Sequence, residues 1–330
     1  MTGRSRARNA PVGASPFAVA AAPLSAAKFT DPERTADGSL RAHVPLVALA
    51  TLWFNTGTLC NLACANCYIE SSPTNDALVY LAAADVRRFL DEIADAGLPT
   101  REIGFTGGEP FMNREIIAML ADALGRGHDV LVLTNAMKPM RRHQSALLAL
   151  RAEHGDRLTL RVSLDHHARA VHDAERGTGS FDTAIEGLQW LSQHQFRLAV
   201  AGRHLGHENE PEARAGYAAL FAASGIAVDA SDPAALVLFP EMDARADVAE
   251  ITTACWQILG QSPADVMCAT SRMVVNRKGE AAPRVAACTL VPYDPGFDMG
   301  STLAEAARSV SLNHPHCARF CVLGGASCSA

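Results

Sequence analysis

The chain has 330 residues, 48% of them hydrophobic, enough for one large domain or one large and one small. Its 29 Lys and Arg against 35 Asp and Glu leave a net charge of −6, which offers no field for nucleic acid or polyphosphate. No uninterrupted apolar run reaches the ~18 residues of a bilayer span, so no membrane partner is expected.

Residues 1–44 read as a mostly disordered leader, rich in Ala, Pro, Ser and Gly. The one basic cluster, Arg4, Arg6 and Arg8, lies there. Transit peptides share this composition, but Pro11, Pro16 and Pro23 break any long amphipathic helix. Nothing resembles a secretory signal, which points to the reducing cytoplasm.

From residue 45 to about 240, short apolar runs alternate with helical patterns. "PLVALATLWFN" (45–55) reads as a buried strand. In "DVRRFLDEIADAG" (85–97), Val86, Phe89, Leu90 and Ile93 share one helical face, and Gly97 supplies a stop. "REIGFTGGE" (101–109) is strand and turn. Asn113 then fits as N-cap of a helix carrying Ile116, Ile117, Leu120 and Leu124. "DVLVLTN" (129–135) is a third strand, followed by a helix near 141–153 and by "RLTLRVSLD" (157–165). In that fourth strand Leu158, Leu160, Val162 and Leu164 share one face; Thr159, Arg161, Ser163 and Asp165 share the other. A helix near 180–194, the strand "FRLAVAG" (196–202) and a helix near 211–224 follow. Of "IAVDA" and "LVLFP", at least one is a strand.

Alternating units of this kind imply an α/β fold with a parallel sheet covered by helices. A full eightfold barrel needs about 250 residues, whereas some six units here occupy about 200, so a partial (β/α)6 TIM-like barrel is expected over 45–245. Arg161, Ser163 and Asp165 then face the lumen. The active end lies at the C-terminal ends of the strands.

Nine cysteines, at 60, 64, 67, 255, 268, 288, 317, 321 and 328, fall into two groups. In a reducing compartment clustered thiols suit metals better than disulfides. The first three crowd "TLCNLACANCYIE" (58–70), immediately after the first strand. Thiolates at i, i+4 and i+7 can hold three irons of a cuboidal cluster and leave the fourth open for chemistry. A zinc site would want a fourth ligand, and Tyr68 and Glu70 are poor ones.

These residues resemble the radical S-adenosylmethionine (SAM) superfamily. CxxxCxxC is joined by "TGGEP" (106–110), "LTNA" (133–136), "SLD" (163–165) and "HDAERGTGSF" (172–181), covering 45 to about 205. The family's usual aromatic before the third Cys is Asn66 here; Tyr68 is expected to take over the adenine contact. The resemblance implies that Cys60, Cys64 and Cys67 bind a 4Fe–4S cluster whose open iron chelates SAM. Reductive cleavage would give a 5′-deoxyadenosyl radical that abstracts substrate hydrogen. Gly107, Gly108 and Glu109 are then expected at the SAM amine, with Thr134 and Asn135 as polar contacts. Ser163 and Asp165 fall near its carboxylate or ribose, and Arg203 near the carboxylate. His166, His167, His172 and Asp173 lie on the loop after the fourth strand and read as solvated, with substrate contact as the alternative; Arg176 in the RG element has a stronger claim.

"MVVNRKGEAAPRVAAC" reads as a β-hairpin turning near Lys278–Gly279. With the flanking cysteines it resembles the auxiliary-cluster domain called SPASM or its shorter form Twitch, expected over 246–330. Six thiols cannot fully ligate two clusters, so one auxiliary 4Fe–4S cluster is expected on Cys268, Cys288, Cys317 and Cys321, with Cys328 also in reach. Zinc on this set, with His314 or His316, is the alternative. Cys255, beside Trp256, reads as a core thiol.

The implied activity is a radical SAM oxidoreductase or maturase served by a flavodoxin- or ferredoxin-type reductant. Only about 45 residues precede the first strand, short of a leader-binding domain of about 80. That favours a small molecule or protein side chain. The alternatives are a peptide maturase with a separate leader-binding partner and a non-catalytic iron–sulfur or zinc scaffold.

Overall fold

The computed structural model describes residues 15–18, 21–203, 205–240 and 243–327. Its centre is one eight-stranded sheet. The strands are β1 (Thr51–Asn55), β2 (Glu102–Thr106), β3 (Asp129–Thr134), β4 (Leu158–Ser163), β5 (Arg197–Arg203), β6 (Leu236–Phe239), β7 (Ser271–Val275) and β8 (Arg284–Ala286). The spatial order is β6-β5-β4-β3-β2-β1-β7-β8, parallel throughout except that β8 runs antiparallel to β7. Among the described residues β6 and β8 do not pair, so the sheet curls without closing. This is the expected partial barrel.

The alternation along each strand decides what each face meets. Leu52 and Phe54, Ile103 and Phe105, Val130 and Val132, and Leu158, Leu160 and Val162 are all buried on the helix side. There they pack on α1 (Ala83–Asp95), whose buried residues are Val86, Phe89, Leu90 and Ile93, the face expected from the period. The same core takes in α2 (Ile116–Gly125) and α3 (Gln144–His154). Beyond β4 come α4 (Arg169–Arg176), α5 (Ser180–Gln193) and α6 (Glu210–Ser224). On the concave side a second apolar cluster joins Trp53, Leu131, Met273 and Val275 with Leu290 and Phe320. It fills part of the lumen with apolar side chains.

Two expectations are corrected. The hairpin near Lys278–Gly279 is not set apart, because β7 pairs with β1 from Thr51↔Ser271 to Phe54↔Val274 and so extends the barrel sheet. Nor are residues 21–44 a disordered leader. Leu24 N–H donates to the Arg245 carbonyl (2.7 Å), Lys28 pairs with Asp247 (2.7 Å), and Ala42 N–H donates to the Ile251 carbonyl (2.9 Å). The buried Arg41 guanidinium pairs with Glu250 (2.6 Å), and His43–Val44 forms a short antiparallel ladder with Val310–Ser311. Composition hides this order, since the partners all lie in the last third of the chain.

Candidate active site

The loop after β1 is staked down along its length. Gly108 N–H donates to the Gly57 carbonyl (2.8 Å) and Glu109 N–H to the Leu59 carbonyl (3.2 Å). A Cβ on Gly108 would lie 2.3 Å from the Leu59 oxygen; Gly107 has φ +143°, with the Gly57 oxygen 2.6 Å from its Cβ position. The paired glycines therefore let the cysteine loop pass against the β2 turn, and they also line a cavity. Further on, Cys60 N–H donates to the Ser72 carbonyl (3.0 Å). Ala65 N–H donates to the backbone carbonyl of Glu175 (2.8 Å) and Asn66 N–H to its carboxylate (2.9 Å).

That cavity, of about 160 Å³, opens at the C-terminal ends of the parallel strands. Cys60, Cys64 and Cys67 all line it. So do Asn66, Tyr68, Gly107 and Gly108, and from the later strand ends Thr134, Asn135, Ser163, Asp165 and Arg203. Glu109 is the one expected contact that is not on the wall. It is buried behind it, accepting from Thr134 Oγ1 (2.9 Å), Asn135 N–H (2.8 Å) and Phe111 N–H (3.2 Å). Burial pushes its carboxyl up to about 7 against those hydrogen bonds. Asn135 also donates to Asn61 Oδ1 (2.9 Å), tying the β3 end to the cysteine loop.

Asp165 receives two hydrogen bonds from Arg176, at 2.5 and 3.0 Å. Burial works against its ionisation, but the guanidinium outweighs burial and holds the carboxyl below the usual range. The other wall pair is Arg203 with Glu175, at 3.5 Å. The Phe17 ring packs on the Arg203 guanidinium (4.8 Å), and Ser15 Oγ donates to Glu175 (2.6 Å). Ser15 and Phe17, which support this wall pair, and Glu175 itself were not expected from the sequence. For Glu175 a signal existed: with His172 it makes a buried i, i+3 pair on α4.

The histidines are not solvated loop residues. His172 is buried, its Nδ1 accepts from Asp165 N–H (3.2 Å), and burial brings it down to about 4, keeping the ring neutral. His166 is buried as well. Its Nδ1 accepts from Ala168 N–H (2.9 Å), so the neutral ring carries its proton on Nε2, which donates to Glu208 (3.1 Å). His167 stacks on His166 (4.1 Å). Asp173 caps the start of α5, accepting from Gly179 and Phe181 N–H and from Ser180. These four side chains brace the loops behind Asp165 and Arg203.

The donor set fits an iron–sulfur cluster. Burial pushes Cys60 up to about 12 and Cys64 to about 11, so neutral thiols sit together on one wall until a metal takes their protons. Among the described residues no fourth cysteine lines this cavity, and both its carboxylates face guanidiniums. A cuboidal cluster held here by these three thiolates would have one iron without a protein ligand.

Residues 54–221 match the model of the Radical SAM superfamily. The chain belongs to this superfamily. Radical SAM proteins bind a 4Fe–4S cluster and S-adenosylmethionine. Similar sequences include the antilisterial bacteriocin subtilosin biosynthesis protein AlbA of Bacillus subtilis, 34% identical over 51% of this chain and 35% of that protein. The mycofactocin maturase MftC of Mycobacterium tuberculosis is 30% identical over 42% of this chain and 33% of its own. The match thus spans about a third of these curated relatives. In fold, the chain resembles Streptococcus suis SuiB bound to S-adenosylmethionine, with TM-score 0.55 at 13% identity over 77% of this chain and 63% of that one. Among the described residues no helix is long and apolar enough to cross a membrane.

A second, smaller cavity lies beside the first. Cys268, Cys288, Cys317 and Cys321 line it together with His316. Burial pushes Cys268 up to about 11 and Cys317 well above the ordinary thiol value. Cys317–Val322 forms a π-helical turn, a distortion frequent at functional sites. Leu290 lines both cavities. Cys255 is not part of this wall and accepts from Thr252 N–H (3.4 Å). Cys328 lies outside the described residues.

Proposed function

We propose that this chain is a radical SAM maturase that abstracts hydrogen from a peptide substrate and carries one auxiliary 4Fe–4S cluster. The observation that carries the reading is the convergence of Cys60, Cys64 and Cys67, with no fourth thiol among the described residues, on the cavity formed by the strand ends. With cluster and SAM in place, one-electron reduction of the sulfonium supplies a 5′-deoxyadenosyl radical.

The chain's own residues bind and orient. Thr134, Asn135, Ser163 and Arg203, which line the cavity, would offer polar groups to SAM, and Tyr68 and Asn66, also on its wall, would pack against adenine. Gly107 and Gly108 bring backbone to the cavity edge. Asp165 has spare acceptor capacity for a ribose hydroxyl, while Arg176 keeps it ionised and fixed. Glu109 acts from behind by holding Thr134 and Asn135. Leu133, Phe239, Leu290 and Phe320 give the lumen an apolar lining that excludes water from a substrate radical.

Residues 246–330 form the auxiliary-cluster region, with Cys268, Cys288, Cys317 and Cys321 as ligands. The shared Leu290 wall would place that cluster next to the substrate, as suits an oxidoreductase that takes an electron back. A flavodoxin- or ferredoxin-type protein would reduce the first cluster. AlbA is named for bacteriocin biosynthesis and MftC as a mycofactocin maturase, which favours a peptide over a small molecule.

The test is anaerobic reconstitution with iron and sulfide, then dithionite and SAM. The expected result is 5′-deoxyadenosine, with hydrogen loss in a precursor peptide drawn from neighbouring genes. Intact clusters with no SAM cleavage would instead fit a scaffold.

A further inference from the structure

The second cavity has one feature that thiol ligation leaves unused. Of the side chains lining it among the described residues, His316 is the only polar one that is not a cysteine. It is 6% exposed, and its Nδ1 is buried with no hydrogen-bond partner. Buried polar atoms in native proteins nearly always find a partner, so an orphan in a cavity wall asks what the cavity holds.

The local backbone fixes this ring. His316 N–H donates to His314 Nδ1 (3.1 Å), and Cys317 N–H to the His314 carbonyl (2.9 Å). The turn therefore positions His316 and Cys317 as a unit at the mouth of the π-helical segment. With no protein group bonded to it, Nδ1 can carry the ring's N–H and donate it. Two guanidiniums lie close by: Arg272, beside Cys268 and Cys288, donates to the carbonyls of Cys268, Ser271, Ala306 and Arg308, and Arg319, beside His316, donates to those of Ala246 and Asp247.

We propose that His316 donates a hydrogen bond from Nδ1 to a sulfur of the auxiliary cluster and raises its reduction potential. The inference rests on reading this cavity as a cluster site. Four thiols already complete the ligation of a 4Fe–4S group, so the ring acts as donor and not as ligand. Cluster sulfurs accept and do not donate, which selects the Nδ1–H tautomer. Stabilising the more negative, reduced state is what such a bond does to the potential.

The experiment uses full-length protein with Cys60, Cys64 and Cys67 changed to Ala, so that only the second cluster gives a signal. Redox titration is followed by electron paramagnetic resonance, with iron counted on the same samples. His316→Ala should keep its iron, yet at the parent's midpoint its reduced-to-oxidised ratio should fall about tenfold, a shift of about 59 mV for one electron. His316→Asn, with an amide nitrogen near the Nδ1 position, should restore most of it. An unchanged midpoint in His316→Ala overturns the hydrogen bond. Loss of iron from that variant overturns it too, by making the ring a ligand. Absence of any cluster from the parent overturns the cavity reading itself.

Discussion

Replacing Glu175 by Ala tests whether the cysteine loop is held from α4. The carboxylate accepts from Asn66 N–H (2.9 Å) and Ser15 Oγ (2.6 Å) and faces Arg203 at 3.5 Å. A hydrogen bond to a charged group contributes about 1.5–3 kcal/mol, and unpairing a buried partner such as Arg203 costs about 3–5 kcal/mol. These terms overlap, so the combined loss is about 4 kcal/mol, which a domain of ordinary stability, about 5–15 kcal/mol, survives. The Ala65 N–H bond to the Glu175 carbonyl (2.8 Å) remains, so the loop keeps one of two anchors. The damage should fall on Cys64 to Cys67 and on Arg203, not on the second cavity. If about a third of the loss appears in binding, SAM affinity drops about tenfold. Calorimetric titration of SAM into anaerobically reconstituted protein measures this, alongside iron content and 5′-deoxyadenosine yield. Glu175→Gln, which keeps an acceptor but not the charge, should fall between. An Ala variant within twofold of wild type in affinity, with iron and yield unchanged, would refute the anchoring role.

Changing Cys60, Cys64 and Cys67 together to Ala should abolish 5′-deoxyadenosine formation and leave iron for one cluster, about four atoms per chain by chemical assay. Gly108→Ala places a methyl 2.3 Å from the Leu59 oxygen and should destabilise by about 1–3 kcal/mol while loosening the first cluster, read by thermal unfolding and iron loss. Phe17→Ala removes the ring under Arg203; a contact of about 0.5–2 kcal/mol predicts roughly a two- to thirtyfold weaker SAM affinity with the clusters intact. Glu109, ordinarily near 4.5, is raised to about 7, so it binds its proton more tightly in the folded state. Its contribution is full below 4.5 and is lost as pH rises through 7. Urea unfolding of the wild type should therefore lose stability relative to Glu109→Gln between pH 4.5 and 7, by at most about 3 kcal/mol.

Much of the sheet was legible because buried parallel strands and amphipathic helices leave periodic marks. Val86, Phe89, Leu90 and Ile93 declared one helix face, and Leu158, Leu160 and Val162 separated from Arg161 and Ser163 as the pleat requires. The cysteine loop was legible from spacing alone. Pairing partners were not: nothing in "SRMVV" says that it lies beside "TLWFN". The N-terminal segment misled because Arg41 and Phe17 are ordered by Glu250 and Arg203, more than 180 positions away. His166 and His172 misled because a His-rich loop looks wet, whereas here their Nδ1 atoms serve backbone N–H groups. Glu175 was hidden beside the more conspicuous Arg176.

The pairing of β1 with β7 has a consequence for how the protein is made. At about 5–20 residues per second, roughly ten to forty seconds separate emergence of Asn55 from that of Ser271. Throughout that interval one flank of the first strand offers unpaired N–H and C=O groups to any extended neighbour, the hazard of an open edge. Such late, distant closure marks a slow folder. A nascent chain halted before residue 271 should associate with itself or a chaperone, and one extended past β8 should not.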